Sequence, residues 1–294
     1  MRPTATSIDD TRGRPLRNVT CPYCAVALDA ASRTKEHVIG RRFVPVGALN
    51  NQWNLILWAC HPCNRKKSDL EDDIAAITLH LHTAGLPQMS DSRAQAESQR
   101  RSHKSGSRKT GKPVSQSSAK LSFKAPLGLN ATIEGHFTAP PQLDDARAYE
   151  LARLQMVGFF YFLTFDRTKQ VGHYWPGEFY PVHGAHRSDW GNPIHVAFTK
   201  QIADWDYRLI LNTADGYYRA LIRRHPTKDS WAWAVEWNSA YRLVGYFGER
   251  ATAQGLFDEL PPIAARTIVK ASDGGTLRIR TEQPLAESDD TLFS

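Results

Sequence analysis

Cysteine is scarce in this chain: 294 residues hold four, and only three methionines. Four cysteines are too few to staple a chain of this length into a disulfide-dense secreted scaffold. Long apolar runs are missing as well. No stretch of about 18 apolar residues occurs, so no helical membrane span is expected. The segment Met1 to Arg17 is polar and has no apolar core of the signal-peptide kind, which points to a cytoplasmic location. Acidic residues are nearly absent from one region. Residues 93–124 carry nine Lys or Arg against the single acid Glu97, a balance of +8; the whole chain is +7, so everything outside sums to −1. A basic strap therefore lies between two near-neutral parts, where it could neutralise nucleic-acid phosphates.

The four cysteines fall in two pairs, Cys21-Pro22-Tyr23-Cys24 and Cys60-His61-Pro62-Cys63. A Cys-x-x-Cys turn brings two sulfurs to one ion, and two such turns complete a closed tetrahedral site of the structural Zn²⁺ type. A pair of disulfides is the alternative use of the same residues. The 35 residues between the pairs carry Glu36-His37 and Asn54, and Asn64 follows the last cysteine. Histidine has the pKa of a general base near neutrality. Carboxylate and amide oxygens suit a hard cation such as Mg²⁺.

The run Cys-x-x-Cys, Glu36-His37-Val38-Ile39-Gly40, Asn54-Leu55-Ile56, Cys60-x-x-Cys63-Asn64-x-x-Lys67 resembles the HNH endonucleases. The likeness is to the subgroup with a zinc-braced ββα-metal finger, typified by recombination endonuclease VII, and it spans residues 17–83. It implies a metal-dependent DNA endonuclease that nicks one strand per event. His37 would be the general base, Glu36 and Asn64 the ligands of a catalytic Mg²⁺ or Mn²⁺, and Asn54 a brace for the loop presenting the base. Lys67 would contact phosphate, and His61 is a lesser candidate for phosphate or metal. Glutamate at 36 replaces the family's more frequent aspartate, which moves the carboxylate by about 1.5 Å, a single-bond length. A role in defence against foreign DNA follows by analogy with such fusions. RNA cleavage is chemically open. A zinc-finger adaptor that binds DNA or protein without cutting is the reading from another class.

The expected fold class is α+β. Residues 1–16 read as a flexible arm and 17–86 as the nuclease domain, a treble-clef-like ββα-metal finger. Within it a strand is expected to end near Glu36-His37, and a helix capped by Ser68 or Asp69 to carry Leu70, Ile74, Ile77 and Leu81 on one face. Residues 87–120 are poor in large apolar side chains and read as a disordered basic linker. Its Arg100, Arg101, Lys104, Arg108, Lys109 and Lys112 are candidate nucleic-acid contacts. Residues 121–263 read as an α+β recognition or regulatory domain able to bind a protein partner. It has a helix over 144–165, then an antiparallel meander over 207–247 with a hairpin turn at Asp215-Gly216. Along its third run Trp231, Trp233, Val235 and Trp237 share a face. Residues 264–294 read as a weakly ordered tail.

Overall fold

Strand-like and helix-like periods alternate along the chain and produce an α+β fold in which all pairing between strands is antiparallel. The computed structural model describes residues 15–84, 92–126, 131–174, 177–264, 266–270, 276–279 and 281–294. The expected arm over 1–16 lies almost entirely outside these. The order is β1 (Arg33–His37), β2 (Ile56–Cys60), α1 (His61–Ala84), α2 (Ser92–Lys104), β3 (Ser118–Pro126), β4 (Thr132–Pro141), α3 (Asp145–Leu163), β5 (Glu178–His186), α4 (Pro193–Gln201), β6 (Asp206–Thr213), β7 (Tyr218–Arg224), β8 (Ser230–Trp237), β9 (Tyr241–Gly248), α5 (Arg250–Asp258), β10 (Arg266–Lys270) and β11 (Thr276–Ile279).

β1 and β2 pair with His37 opposite Ile56 and Arg33 opposite Cys60. α1 follows β2 without a break. Its Leu70, Ile74 and Ile77 are buried at the spacing of a helical stripe. The helix starts at His61, about two turns before the expected cap. Asp69 and Asp73 therefore stand in mid-helix and receive cations from later in the chain. Arg108 reaches Asp69 at 2.8 Å, and Arg147 reaches Asp69 at 3.0 Å and Asp73 at 2.9 Å.

The five-stranded sheet has the order β5-β9-β8-β7-β6. β6 to β9 are the expected meander, and Ala214, Asp215 and Gly216, at φ 56°, 53° and 84°, turn the chain between β6 and β7. Alternation divides β8 between two cores. Trp233, Val235 and Trp237 face α3 and the N-terminal β1-β2-α1 unit. Ala232 and Ala234 face Phe198 of α4 and Leu256 of α5. The first core is continuous from Cys21 and Val38 through α3 to the sheet. Phe43 packs edge-on against Trp237 with centroids 5.6 Å apart, and Asn238 donates to the Phe43 carbonyl at 3.1 Å and to Thr78 at 2.8 Å. Gln155 of α3 accepts from both Tyr218 and Trp237, at 3.0 and 2.9 Å.

Two segments differ from expectation. Residues 92–118, read as disordered linker, hold a packed helix and a following turn. α2 buries Ala94, Glu97, Ser98, Arg101 and Ser102. Small side chains let the helix approach closely, and Glu97 meets Arg101 at 2.5 Å, so burial here needs no large apolar residue. Residues 281–294, read as a loose tail, are docked on the sheet: Leu292 is 1% exposed, and Asp290 accepts from Arg242 at 2.5 Å.

A side chain at Gly158 would test the shared core, because even a Cβ there would lie 2.8 Å from Val38. Gly158→Ile is expected to cost about 1–3 kcal/mol by overpacking. Urea unfolding followed by tryptophan fluorescence and by metal release should give one coincident transition at a lower midpoint. Two separate transitions, with only one displaced, would contradict a common core.

Candidate functional site

The four sulfurs arrive from two short turns. Cys21 N–H donates to Val26 O at 2.8 Å, Ala25 N–H donates to Cys21 O at 2.9 Å, and Ala25 takes φ 62° to close the first turn. Cys60 ends β2 and Cys63 lies in the first turn of α1. Asn18 ties the turns together: its amide donates to the Thr20 and Trp58 carbonyls at 2.8 and 2.7 Å and accepts from Trp58 N–H at 2.8 Å. All four Sγ atoms lie within 4.8 Å of one another, and Cys24 and Cys60 are 3.6 Å apart. A tetrahedron with Zn–S bonds of about 2.3 Å has sulfurs about 3.8 Å apart, so the set fits a structural Zn²⁺. All four cysteines are free, and mutual proximity of four sulfurs answers to a metal site, not to two disulfides at about 2.0 Å. Burial pushes the Cys21 thiol up to about 11. Burial raises Cys63 too, whereas at Cys60 hydrogen bonds from Cys63 and the neighbouring thiols outweigh burial and lower it. A divalent cation relieves that crowding by drawing the thiolates together.

Beyond the turns, β1 presents Glu36 and His37 to opposite faces. Asn54 fixes the backbone just past this pair: its Nδ2 donates to Ile39 O at 2.7 Å and its Oδ1 accepts from Ile39 N–H at 3.3 Å. Both bonds clamp the chain two residues beyond His37. The His37 ring is half-buried, and its Nε2 is buried with no hydrogen-bond partner among the described residues. Burial, and then the charges of Arg41, Lys35 and Lys67, push its pKa down to about 4, so the imidazole is neutral at pH 7.

Glu36 does not stand open. It is 4% exposed, with Lys67 Nζ at 2.8 Å from its Oε1 and the Tyr23 hydroxyl donating to the same oxygen at 3.3 Å. Lys67 also meets Glu71 at 2.5 Å and donates to the His37 carbonyl at 3.0 Å. Burial works against this ammonium, but the charges of Glu36 and Glu71 outweigh it and hold the Lys67 pKa above the ordinary lysine value. Burial pushes Glu71 up against the pull of Lys67, and the Glu36 charge adds to that push. The carboxylate expected to ligate a divalent cation is thus sequestered, and its geometry does not fit an open, hydrated Mg²⁺ or Mn²⁺ site. Lys67, at 1% exposure, does not reach solvent and is no phosphate contact.

Asn64 is half-buried on α1; its amide donates to Thr34 Oγ1 at 3.2 Å and to the Lys35 carbonyl at 3.4 Å. It lines a cavity of about 1070 Å³ with Thr34, His61, Ser68 and Glu71. Neither His37 nor Glu36 lines that cavity, so the structure joins Asn64 to β1 without bringing it into one cleft with the histidine. Arg100, Arg101, Lys104 and Arg108 all border it from the far side. Arg101 is 6% exposed and spent on Glu97 and Val44 O, which removes it from the candidate contacts. Lys109 and Lys112 are exposed and away from the cavity; Lys109 donates to Leu143 O at 3.3 Å.

Glu71 and Asn18 escaped the sequence reading, and Gly40 entered it only as a motif position. Glu71 stands four residues after Lys67, a spacing that pairs opposite charges on a helix. Gly40 makes room for it, since a Cβ there would sit 2.3 Å from the Glu71 carboxylate. Asn18 carried no signal, because the backbone of Trp58, which it clamps from both sides, lies 40 residues away. Removing the ammonium should expose the strain of this buried cluster. Lys67→Met is expected to destabilise the fold by about 3–5 kcal/mol in urea denaturation, because two carboxylates are left without their partner. Adding Glu36→Gln and Glu71→Gln should recover part of the loss; equal stability of Lys67→Met and wild type would contradict the triad.

Set against known protein families, curated proteins and solved structures, the chain matches none of them.

Proposed function

We propose that the chain is a DNA endonuclease of the HNH type, with a ββα finger folded on a Cys₄ zinc and His37 as its general base. The observation that carries this reading is the union of three parts in one unit: the four-sulfur cluster at the root of β1, β2 and α1, the Asn54 clamp on Ile39, and a neutral imidazole between them. A neutral imidazole can take a proton from water. The water oxygen then attacks phosphorus, the bond to the leaving oxygen breaks, and that oxygen leaves with a proton from solvent. Zinc in a closed thiolate site supplies folding energy and takes no part in the hydrolysis. Glu36 enters as an ion-pair partner of Lys67, not as a metal ligand. Asn64 is the remaining oxygen donor of the implied pair.

The same Glu36–Lys67 contact favours a second reading, a zinc-held adaptor that binds DNA without cutting it. Incubation of supercoiled plasmid with Mg²⁺, Mn²⁺ or chelator separates the two. The nuclease reading expects nicked circles from wild type and a loss of about 100-fold or more in His37→Ala, with its circular dichroism unchanged. Cys60→Ser should lose both structure and cleavage. Retained binding with no cleavage under any metal would hand the protein to the adaptor reading, whereas an active His37→Ala would refute His37 as the general base.

A further inference from the structure

The segment that composition presents as a tether instead forms one wall of the cavity beside Asn64, and the charges around that cavity do not cancel. Its acids are already engaged. Asp69 is held by Arg108 at 2.8 Å and Arg147 at 3.0 Å, Asp72 by the Ser105 hydroxyl at 3.1 Å and by Arg108 at 3.9 Å, and Glu71 by Lys67 at 2.5 Å. On the basic side, Arg100 is shared with Glu97 at 2.6 Å. Arg42, Arg65 and Lys104 are exposed, line the same cavity and have no carboxylate partner among the described residues. They come from three places: the loop after β1, the second turn of α1 and the end of α2.

We propose that this cavity is a preformed cradle for the sugar-phosphate backbone of duplex DNA, with Arg42, Arg65 and Lys104 as its phosphate-neutralising residues and α2 as a fixed wall. The proposal rests on the nucleic-acid reading above and names the surface that would hold the substrate. Three cations left uncompensated around one concavity make a field that favours a polyanion. The positive end of α1 adds to it, since His61 and Asn64 of its first turn are part of the lining. Like charge is already felt inside the wall: burial, set against the bond to Glu97, lowers the Arg101 pKa, and Arg100 and Arg42 lower it further.

The wall is rigid for a stated reason. Arg101 is anchored to Glu97 and donates to Val44 O at 3.2 Å, Ser105 holds Asp72, and Arg108 N–H donates to Asp73 at 3.1 Å. Cations mounted on a fixed helix lose less entropy on binding than the same cations on a free strap. DNA fits better than an acidic peptide because the lining offers dispersed positive charge with Thr34, Asn64 and Ser68 as neutral hydrogen-bonding groups, and Val46 is its one aliphatic side chain.

The test uses the full chain carrying His37→Ala, so that substrate stays intact, and a short fluorescein-labelled DNA duplex read by anisotropy across a salt series. Arg42→Ala, Arg65→Ala and Lys104→Ala are combined in one variant. A control variant combines Arg167→Ala, Lys169→Ala and Lys228→Ala, three exposed cations elsewhere. Thermal melting and zinc content check that both variants fold. Loss of three phosphate contacts should flatten the slope of log K against log salt by about 2–3 and weaken binding at low salt; the control should keep the parent slope. An unchanged slope, or an equal loss in the control, overturns the cradle. Plasmid cleavage by the same triple variant with His37 restored keeps the two readings apart. Altered slope without cleavage in any form retains the cradle and removes the nuclease, whereas cleavage with an unaltered slope does the reverse.

Discussion

The β1-β2-α1 unit is organised around four sulfurs that lie within 4.8 Å of one another. Two turns nearly forty residues apart in sequence supply them, and the Asn18 amide bridges the backbone beside each. At that spacing a divalent cation bound by four thiolates would close the loop between them. α1 starts directly at the end of β2, and such an ion would hold that start and with it the side of the helix that faces β1. Lys67, Asn64 and Glu71 inherit their positions from that one constraint. Small metal domains commonly gain more than about 10 kcal/mol of apparent folding free energy this way.

The β1-β2-α1 unit does not rest on the four-sulfur cluster alone. Its outer face is closed by the sheet, through Phe43 on Trp237 and the Asn238 amide, and by α3, where Gly158 lets Val38 approach. The sheet is therefore more than a neighbouring module. It carries the strand-side support that a minimal zinc finger lacks, and its second face is sealed by α4, α5 and the C-terminal residues around Leu292. Motions of the finger are tied to the packing of a much larger body.

The parts legible in the sequence were those written in short-range code. Two Cys-x-x-Cys pairs announce a metal site, Asp215-Gly216 announces a turn, and the alternation Trp231, Trp233, Val235, Trp237 announces a strand with one buried face. Asn54 could be assigned as a brace from its motif position alone. The parts that stayed hidden depend on partners far away in the chain. α2 reads as linker because its buried stripe is made of Ala94, Ser98 and Ser102 and a Glu97–Arg101 pair, none of which counts as apolar bulk. Lys67 reads as a surface cation because nothing local says that Glu36 lies above it. Asp69 reads as a helix cap because its cations, Arg108 and Arg147, come after the segment. Arg42 and Arg65 gave no signal, because being uncompensated is a property of the cavity and not of either residue.

The central claim is the thiolate-held ion, and X-ray absorption at the zinc edge reads it directly. One zinc per chain with a shell of four sulfurs at about 2.3 Å, and no nitrogen or oxygen neighbour, is the expected result. A metal-free chain whose cysteines are joined in sulfur–sulfur bonds of about 2.0 Å, or a zinc shell dominated by nitrogen and oxygen, would contradict it.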